Sequence, residues 1–73
     1  MRYTSGLEVR LGDRIRFSNG DIAIVVLSAD TEEYAAEFPK AEWLSIKRGV
    51  LVRTEAGALV ELDDSLINDI EPL

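Results

Sequence analysis

The sequence contains no cysteine and no histidine. Without thiolates the chain has neither a disulfide framework nor a thiolate zinc site, so packing alone must stabilise it, and a reducing cytoplasm is the compartment that fits best. The missing imidazole and thiol are the usual acid-base group near neutral pH, the common nucleophile and the common transition-metal ligands. Most enzyme mechanisms are therefore excluded.

Long apolar runs and catalytic motifs are missing as well. The longest apolar run, Ile22 to Leu27, is too short to span a bilayer, and the first residues form no hydrophobic signal segment. No nucleophile elbow and no phosphate-binding loop surrounds the serines or lysines. The tail acids match no calcium-binding loop, and Asp64 is expected to cap a helical turn. We therefore expect a protein that is not an enzyme, is neither exported nor membrane-anchored, and has no cofactor or metal.

The 73 residues that are present carry a net charge of −6, with 47% apolar and 30% charged residues. This balance is typical of a folded protein, and the length predicts a single small domain over residues 1–73. The negative charge favours encounter with basic surfaces and repels phosphate backbones. It therefore argues against a nucleic-acid partner.

The stretch RIRFSNGDIAIVVL predicts a β-hairpin, because Asn19-Gly20 is the preferred dipeptide of a two-residue type I′ turn. That turn places Ser18 opposite Asp21. It predicts that five apolar residues share one face of the hairpin: Ile15, Phe17, Ile22, Ile24 and Val26. The second strand is apolar on its other face too, which predicts a central strand or one covered by a second layer.

Residues 50–62 predict a second hairpin, with its turn at Glu55-Ala56-Gly57. The tail places Leu66, Ile70 and Leu73 at helical spacing. It is therefore expected to close the structure either as a helical turn or as a final strand that pairs with the N-terminal residues.

The 21 residues between the hairpins, which we call the crossover (residues 29–49), are too many for a plain loop. Asp30 is suited to cap a first helical turn, in which Tyr34 and Phe38 have i,i+4 spacing, and Pro39 is suited to begin a second. The predicted fold is therefore mainly β: a small barrel or a strongly bent antiparallel sheet, with one or two short helical turns between the hairpins.

The stretch LGDRIRFSNGDIAIVV resembles the opening of SH3-like small β-barrels, including KOW-type modules, which implies that fold. Scattered residues along the chain are similar to those of a group of small, functionally uncharacterised bacterial proteins. They are Gly12-Asp13-Arg14, Glu33-Tyr34, Pro39, Glu42-Trp43 and Lys47-Arg48-Gly49-Val50. This second resemblance implies no activity.

The charge pattern favours a small acidic inhibitor that occludes a basic surface on another protein, as a toxin-immunity protein or a phage-encoded inhibitor does. The candidate partner-binding residues are Glu32, Glu33, Tyr34, Glu37, Phe38, Glu42 and Trp43. A lone tryptophan in so small a domain is expected to be core or half-buried, and an interface anchor is the alternative for Trp43.

Two alternatives remain open at this point. One is a KOW-like or Tudor-like nucleic-acid-associated module that uses a basic patch of Arg14, Arg16, Lys47, Arg48 and Arg53. The other is an accessory subunit that forms a homodimer through an exposed strand edge.

Overall fold

A computed structural model describes residues 1–73 and contains one six-stranded antiparallel sheet with two short 3₁₀ segments. The strands are β1 (Arg14–Phe17), β2 (Ile22–Ser28), β3 (Glu33–Tyr34), β4 (Val50–Thr54), β5 (Leu59–Leu62) and β6 (Ile70–Pro72), and the 3₁₀ segments are Lys40–Glu42 and Asp64–Asp69. The order is β5-β4-β2-β1-β6, with β3 beside β2. The mainly β prediction is confirmed. Because β5 and β6 do not pair, the sheet is open and not a closed barrel, and the SH3-like assignment stays a prediction. No helix has the length and apolar character needed to cross a membrane.

The first hairpin forms with a register one residue away from the predicted one. Arg14 lies opposite Ile24 and Ile15 opposite Ala23. The loop has three residues, because the Phe17 amide donates to the Asp21 carbonyl at 2.8 Å and the Gly20 amide donates to the Phe17 carbonyl at 2.9 Å. In this loop type only the last residue needs a positive φ, and Gly20 has φ +95°.

The register decides which side chains are buried. A shift of one residue moves every side chain of one strand to the other face relative to its partner. Ile15 is therefore buried together with Ala23 and Val25, whereas Ile24 lies beside Arg14 on the opposite face and is 38% exposed. The predicted common face of five apolar residues is wrong.

Strand β2 is the central strand, which is one of the two predicted alternatives. One edge pairs with β4, and the other pairs first with β1 and then with β3. A bulge between Val25 and Leu27 interrupts the register with β4. Val25 packs in one apolar cluster and Val26 and Leu27 pack in another, so the bulge lets one strand serve two cores.

The larger cluster lies on the inner face of the sheet and includes three residues that precede β1. Met1, Tyr3 and Val9 are buried there, and Arg2 and Glu8 form an isolated bridge between them. The smaller cluster lies beneath the crossover and comprises Val26, Leu27, Phe38, Ile46 and Leu51. The crossover thus covers the C-terminal part of β2 on the outer face of the sheet.

The crossover contains less helix than predicted. Tyr34 lies in β3 and pairs with Leu27 of β2, so the helical turn predicted from the spacing of Tyr34 and Phe38 is wrong. The free edge of β2 offers backbone hydrogen-bond partners to residues 33–34, and these residues form a strand instead. Asp30 caps no helix; its carboxylate accepts from the Gly49 amide at 3.1 Å and pairs with the N-terminal ammonium. The helical turn after Pro39 is confirmed as the 3₁₀ segment Lys40–Glu42.

The second hairpin is confirmed, with β4 paired to β5 and a left-handed Gly57 (φ +91°) in its turn. The tail forms a helical turn and then a strand in succession, a 3₁₀ segment followed by β6. Strand β6 pairs with β1 of the first hairpin and not, as predicted, with the N-terminal residues. The cap of that segment is Asp63 and not Asp64, because the Asp63 carboxylate accepts from the Ser65 amide at 2.9 Å.

Candidate interaction surfaces

Glu33 is one of the predicted partner-binding acids, but its carboxylate accepts hydrogen bonds from other residues of the same chain. Arg10 donates to both of its oxygens at 2.9 Å, and the Thr31 hydroxyl donates to one of them at 2.7 Å. The Leu11 amide adds a longer bond of 3.3 Å. These donors, Arg10 and then Thr31 above all, lower the pKa of Glu33 to about 2. Glu33 thus ties the start of the crossover to the loop before β1.

The other three candidate partner-binding acids, Glu32, Glu37 and Glu42, are exposed. Glu32 contacts Lys40 at 2.8 Å and Glu37 contacts Arg53 at 3.5 Å. The Glu37 side chain is 74% exposed. Glu42 has no basic side chain within 4.0 Å. Exposed ion pairs contribute at most about 1 kcal/mol to stability. These carboxylates therefore remain accessible to a lysine or arginine of another protein.

The three crossover aromatics face inward to different degrees. Phe38 is buried, and its ring centroid lies 5.5 Å from that of Trp43 with the planes tilted by 50°. Tyr34 and Trp43 are partly buried against the same cluster. The prediction that Trp43 is core or half-buried is confirmed. Phe38 is internal, so little of its side chain is exposed at the surface.

Leu44 is a surface residue that the sequence reasoning missed. Its side chain is 60% exposed, immediately after the half-buried Trp43. The available signal was its position: an aliphatic residue that follows Glu42-Trp43 and precedes Ser45 belongs to no alternating strand pattern. We give the name crossover surface to Leu44, the half-buried Trp43 before it and the three exposed acids of the crossover, Glu32, Glu37 and Glu42.

The predicted basic patch is divided in two. Arg14, Arg16 and Arg53 lie on the outer face of the sheet, on β1 and β4. Lys47 and Arg48 line a separate depression together with Glu61 and Asp63. Arg16 is paired with Glu71 at 2.9 Å. The five cations therefore do not form one continuous surface.

A small polar hollow of about 200 Å³ lies where the crossover ends, and no apolar side chain lines it. It is lined by Asp30, Arg48, Gly49, Asp63, Asp64 and Ser65. No group of three acidic residues in the structure is placed to hold a metal ion. Comparisons with family models, curated proteins and solved structures find no match to this chain.

Proposed function

We propose that the protein is a small non-enzymatic binding module that covers a basic surface of a partner protein with its crossover surface. The observation that carries the proposal is Leu44, an aliphatic side chain that is 60% exposed beside the half-buried Trp43 and next but one to the unpaired Glu42. An apolar anchor within a charged rim is the usual anatomy of a protein–protein interface.

Charge supports a basic partner. The net charge of −6 attracts a cationic protein over several ångströms before contact. At contact, Glu42 is unpaired and Glu32 and Glu37 make only exposed ion pairs. A lysine or arginine of the partner can therefore replace Lys40 or Arg53 at little cost.

The crossover surface is also held in shape before binding. Phe38 and Trp43 pack on the smaller cluster, and β3 is bonded to β2. A surface that is already ordered loses less conformational entropy on association. The length of 73 residues, the negative net charge and the ordered crossover surface suit a toxin-immunity protein or a phage-encoded inhibitor. By this analogy we propose that the protein belongs to that class.

The test compares two baits. Proteins retained from the source lysate by the wild type and by Leu44→Asp are identified by mass spectrometry, and the retained protein is then purified and titrated by calorimetry at low and high salt. We expect a basic protein that binds the wild type, loses at least about tenfold in affinity with Leu44→Asp, and binds more weakly as salt rises.

Leu7→Asp is the matched control, because Leu7 is 68% exposed and lines a depression with Pro72 and Leu73 that contains no residue of the crossover surface. Its affinity is expected to equal that of the wild type. Equal retention by the wild-type and Leu44→Asp baits, or an affinity that ignores salt, would contradict the proposal.

A homodimer is the second candidate, because β5 and β6 are each paired on one side only. Such edges present unpaired backbone groups to another strand. Light scattering at two protein concentrations distinguishes this candidate: a mass that doubles with concentration supports it, and a constant monomer mass refutes it. The division of the basic residues gives no support to the nucleic-acid alternative.

A further inference from the structure

The outer face of the sheet is only half covered. At its C-terminal end β2 is buried under the crossover through Val26 and Leu27. At the other end no segment covers Ile24, which is exposed in the middle of the central strand. A central strand is buried on both faces where helices or loops form a second layer over the sheet. Because Ile24 is exposed, this half of the outer face lacks such a layer.

Four side chains form a row across this uncovered half. Arg14 of β1 lies opposite Ile24 of β2, Ile24 opposite Arg53 of β4, and Arg53 opposite Leu59 of β5. All four are exposed, and Ile24 and Leu59 are 38% and 45% exposed. We call this row, in which cationic and aliphatic side chains alternate, the Arg14–Leu59 row.

The two arginines of the row are poorly neutralised in a chain that carries a net charge of −6. Arg14 has no carboxylate within 4.0 Å, and Arg53 reaches only the exposed Glu37, at 3.5 Å. Arg14, Ile24 and Arg53 line one depression of about 350 Å³, to which Glu55 adds a single carboxylate that pairs with neither arginine. The row therefore offers two cations for an incoming acidic group.

The spacing of the row indicates the form of its ligand. Neighbouring strands lie about 4.8 Å apart, so the four side chains follow one another at about that interval. An α-helix rises about 1.5 Å per residue and returns to the same face after three or four residues, which is about 4.5–6 Å. A helix that lies across the strands thus presents one side chain to each member of the row.

We propose that the Arg14–Leu59 row is a second interaction surface, which binds an amphipathic helix of a partner protein whose docking face alternates carboxylates and aliphatic side chains at one-turn intervals. The carboxylates meet Arg14 and Arg53, and the aliphatic side chains meet Ile24 and Leu59. The helix completes the second layer that the crossover begins. The row shares no residue with the crossover surface and meets it only at the contact of 3.5 Å between Arg53 and Glu37. It attracts an acidic partner, whereas the crossover surface attracts a basic one, so this inference does not rest on the function proposed above.

The probe is an 18-residue alanine-based peptide with two glutamates and two leucines alternating at one-turn intervals, titrated into ¹⁵N-labelled protein. A second peptide has lysines in place of the glutamates, and a third has the same composition with the spacing scrambled. We expect the first peptide to shift the backbone amide signals of Arg14, Ile24, Arg53 and Leu59, to leave Trp43 and Leu44 unaffected, and to bind more weakly as salt rises. The other two peptides are expected to bind at least about fivefold more weakly.

The variant pair is Arg14→Gln and Arg16→Gln, which are two residues apart on the same face of β1. Arg14 is unpaired and belongs to the row, whereas Arg16 is outside the row and is paired with Glu71. We expect Arg14→Gln to weaken binding of the glutamate peptide by about fivefold and Arg16→Gln by less than about twofold. Both side chains are exposed, and amide spectra of the free variants verify that each is folded.

Three results would overturn the proposal. One is equal binding of the lysine or scrambled peptide, and another is an equal effect of the two arginine variants. The third is movement of the Ile24 and Leu59 signals with protein concentration alone, which would assign the face to a second copy of this chain.

Discussion

Arg10 and Glu33, 23 residues apart in the chain, are joined by two hydrogen bonds of 2.9 Å each between guanidinium nitrogens and both carboxylate oxygens. A two-point pair of this kind has defined geometry as well as charge. It links the loop before β1 to β3 and so fixes one end of the crossover to the sheet.

The pair predicts a pH dependence of stability. The hydrogen bonds from Arg10 and Thr31 lower the pKa of Glu33 from its ordinary value of 4.5 to about 2. Because the folded-state pKa lies below the unfolded one, the stabilisation is complete above pH 4.5 and is lost as the pH falls towards 2. We expect urea midpoints of Glu33→Gln to lie below those of the wild type at pH 7 and the difference to shrink across that interval.

Glu42→Gln is the control for this measurement, since Glu42 is an exposed crossover acid without an ion pair. We expect it to leave the midpoint at pH 7 close to that of the wild type. If Glu33→Gln and Glu42→Gln gave the same curve, the Arg10–Glu33 pair would contribute nothing to stability.

Gly49 predicts a large effect of a very small substitution. It has φ +79°, and a Cβ at this position would lie 2.2 Å from the Leu62 carbonyl oxygen. Left-handed backbone costs about 1–2 kcal/mol for a residue with a side chain, and overpacking adds about 1–3 kcal/mol. We therefore expect Gly49→Ala to lower the free energy of unfolding by about 3 kcal/mol, measured by urea denaturation.

Gly57 separates the two contributions. It also has a positive φ, +91°, but apart from its two chain neighbours no residue has an atom within 4 Å of the position of its Cβ. Gly57→Ala should therefore lose only about 1–2 kcal/mol, the backbone contribution alone. Equal losses for the two variants would show that the approach to Leu62 has no energetic effect.

Trp43 reports on the smaller cluster through its fluorescence, as the only tryptophan of the chain. Phe38→Ala removes the ring that packs 5.5 Å from it. We expect a loss of about 3 kcal/mol of stability and a red shift of the Trp43 emission, because water gains access to the indole. Leu44→Ala, at an exposed site, should change stability by less than about 0.5 kcal/mol. A red shift without loss of stability in Phe38→Ala would mean that the cluster does not support the fold.

Tyr3 is expected to stabilise the N-terminal segment through its hydroxyl. It is buried, and the hydroxyl donates to the Asp13 carboxylate at 2.8 Å. Burial, together with that hydrogen bond, raises the pKa of Tyr3 above its ordinary value of 10. We expect Tyr3→Phe to cost about 1 kcal/mol at pH 7.

The same residue predicts an alkaline effect. A raised folded-state pKa means that this stabilisation is present below pH 10 and declines as the pH rises above it. Urea midpoints measured from pH 8 upward should therefore fall more steeply for the wild type than for Tyr3→Phe. Parallel curves would contradict the assignment to Tyr3.

The candidate site was less predictable than the fold. Residue type and position identified the exposed acids Glu32, Glu37 and Glu42, and the isolated tryptophan indicated a half-buried side chain. Sequence could not show that Arg10 occupies Glu33, because a partner 23 residues away is brought near only by the folded chain. Sequence could likewise not show that Arg14 and Lys47 lie on separate surfaces, or that Ile24 is exposed. Both depend on how the strands pair in the folded chain.

The sequence by itself determined the mainly β fold, the two hairpins and the central position of β2, because turn residues and apolar alternation act within a few residues of one another. Only the tertiary structure decided the register of the first hairpin. Two-residue and three-residue loops around Asn19-Gly20 are both locally acceptable, and burial of Ile15 with Ala23 and Val25 selects the second. The tertiary structure also decided that Glu33–Tyr34 form a strand. The hydrogen-bond partners of this strand lie on the free edge of β2, and the local sequence pattern does not indicate them. The register of the first hairpin leaves Ile24 exposed between Arg14 and Arg53.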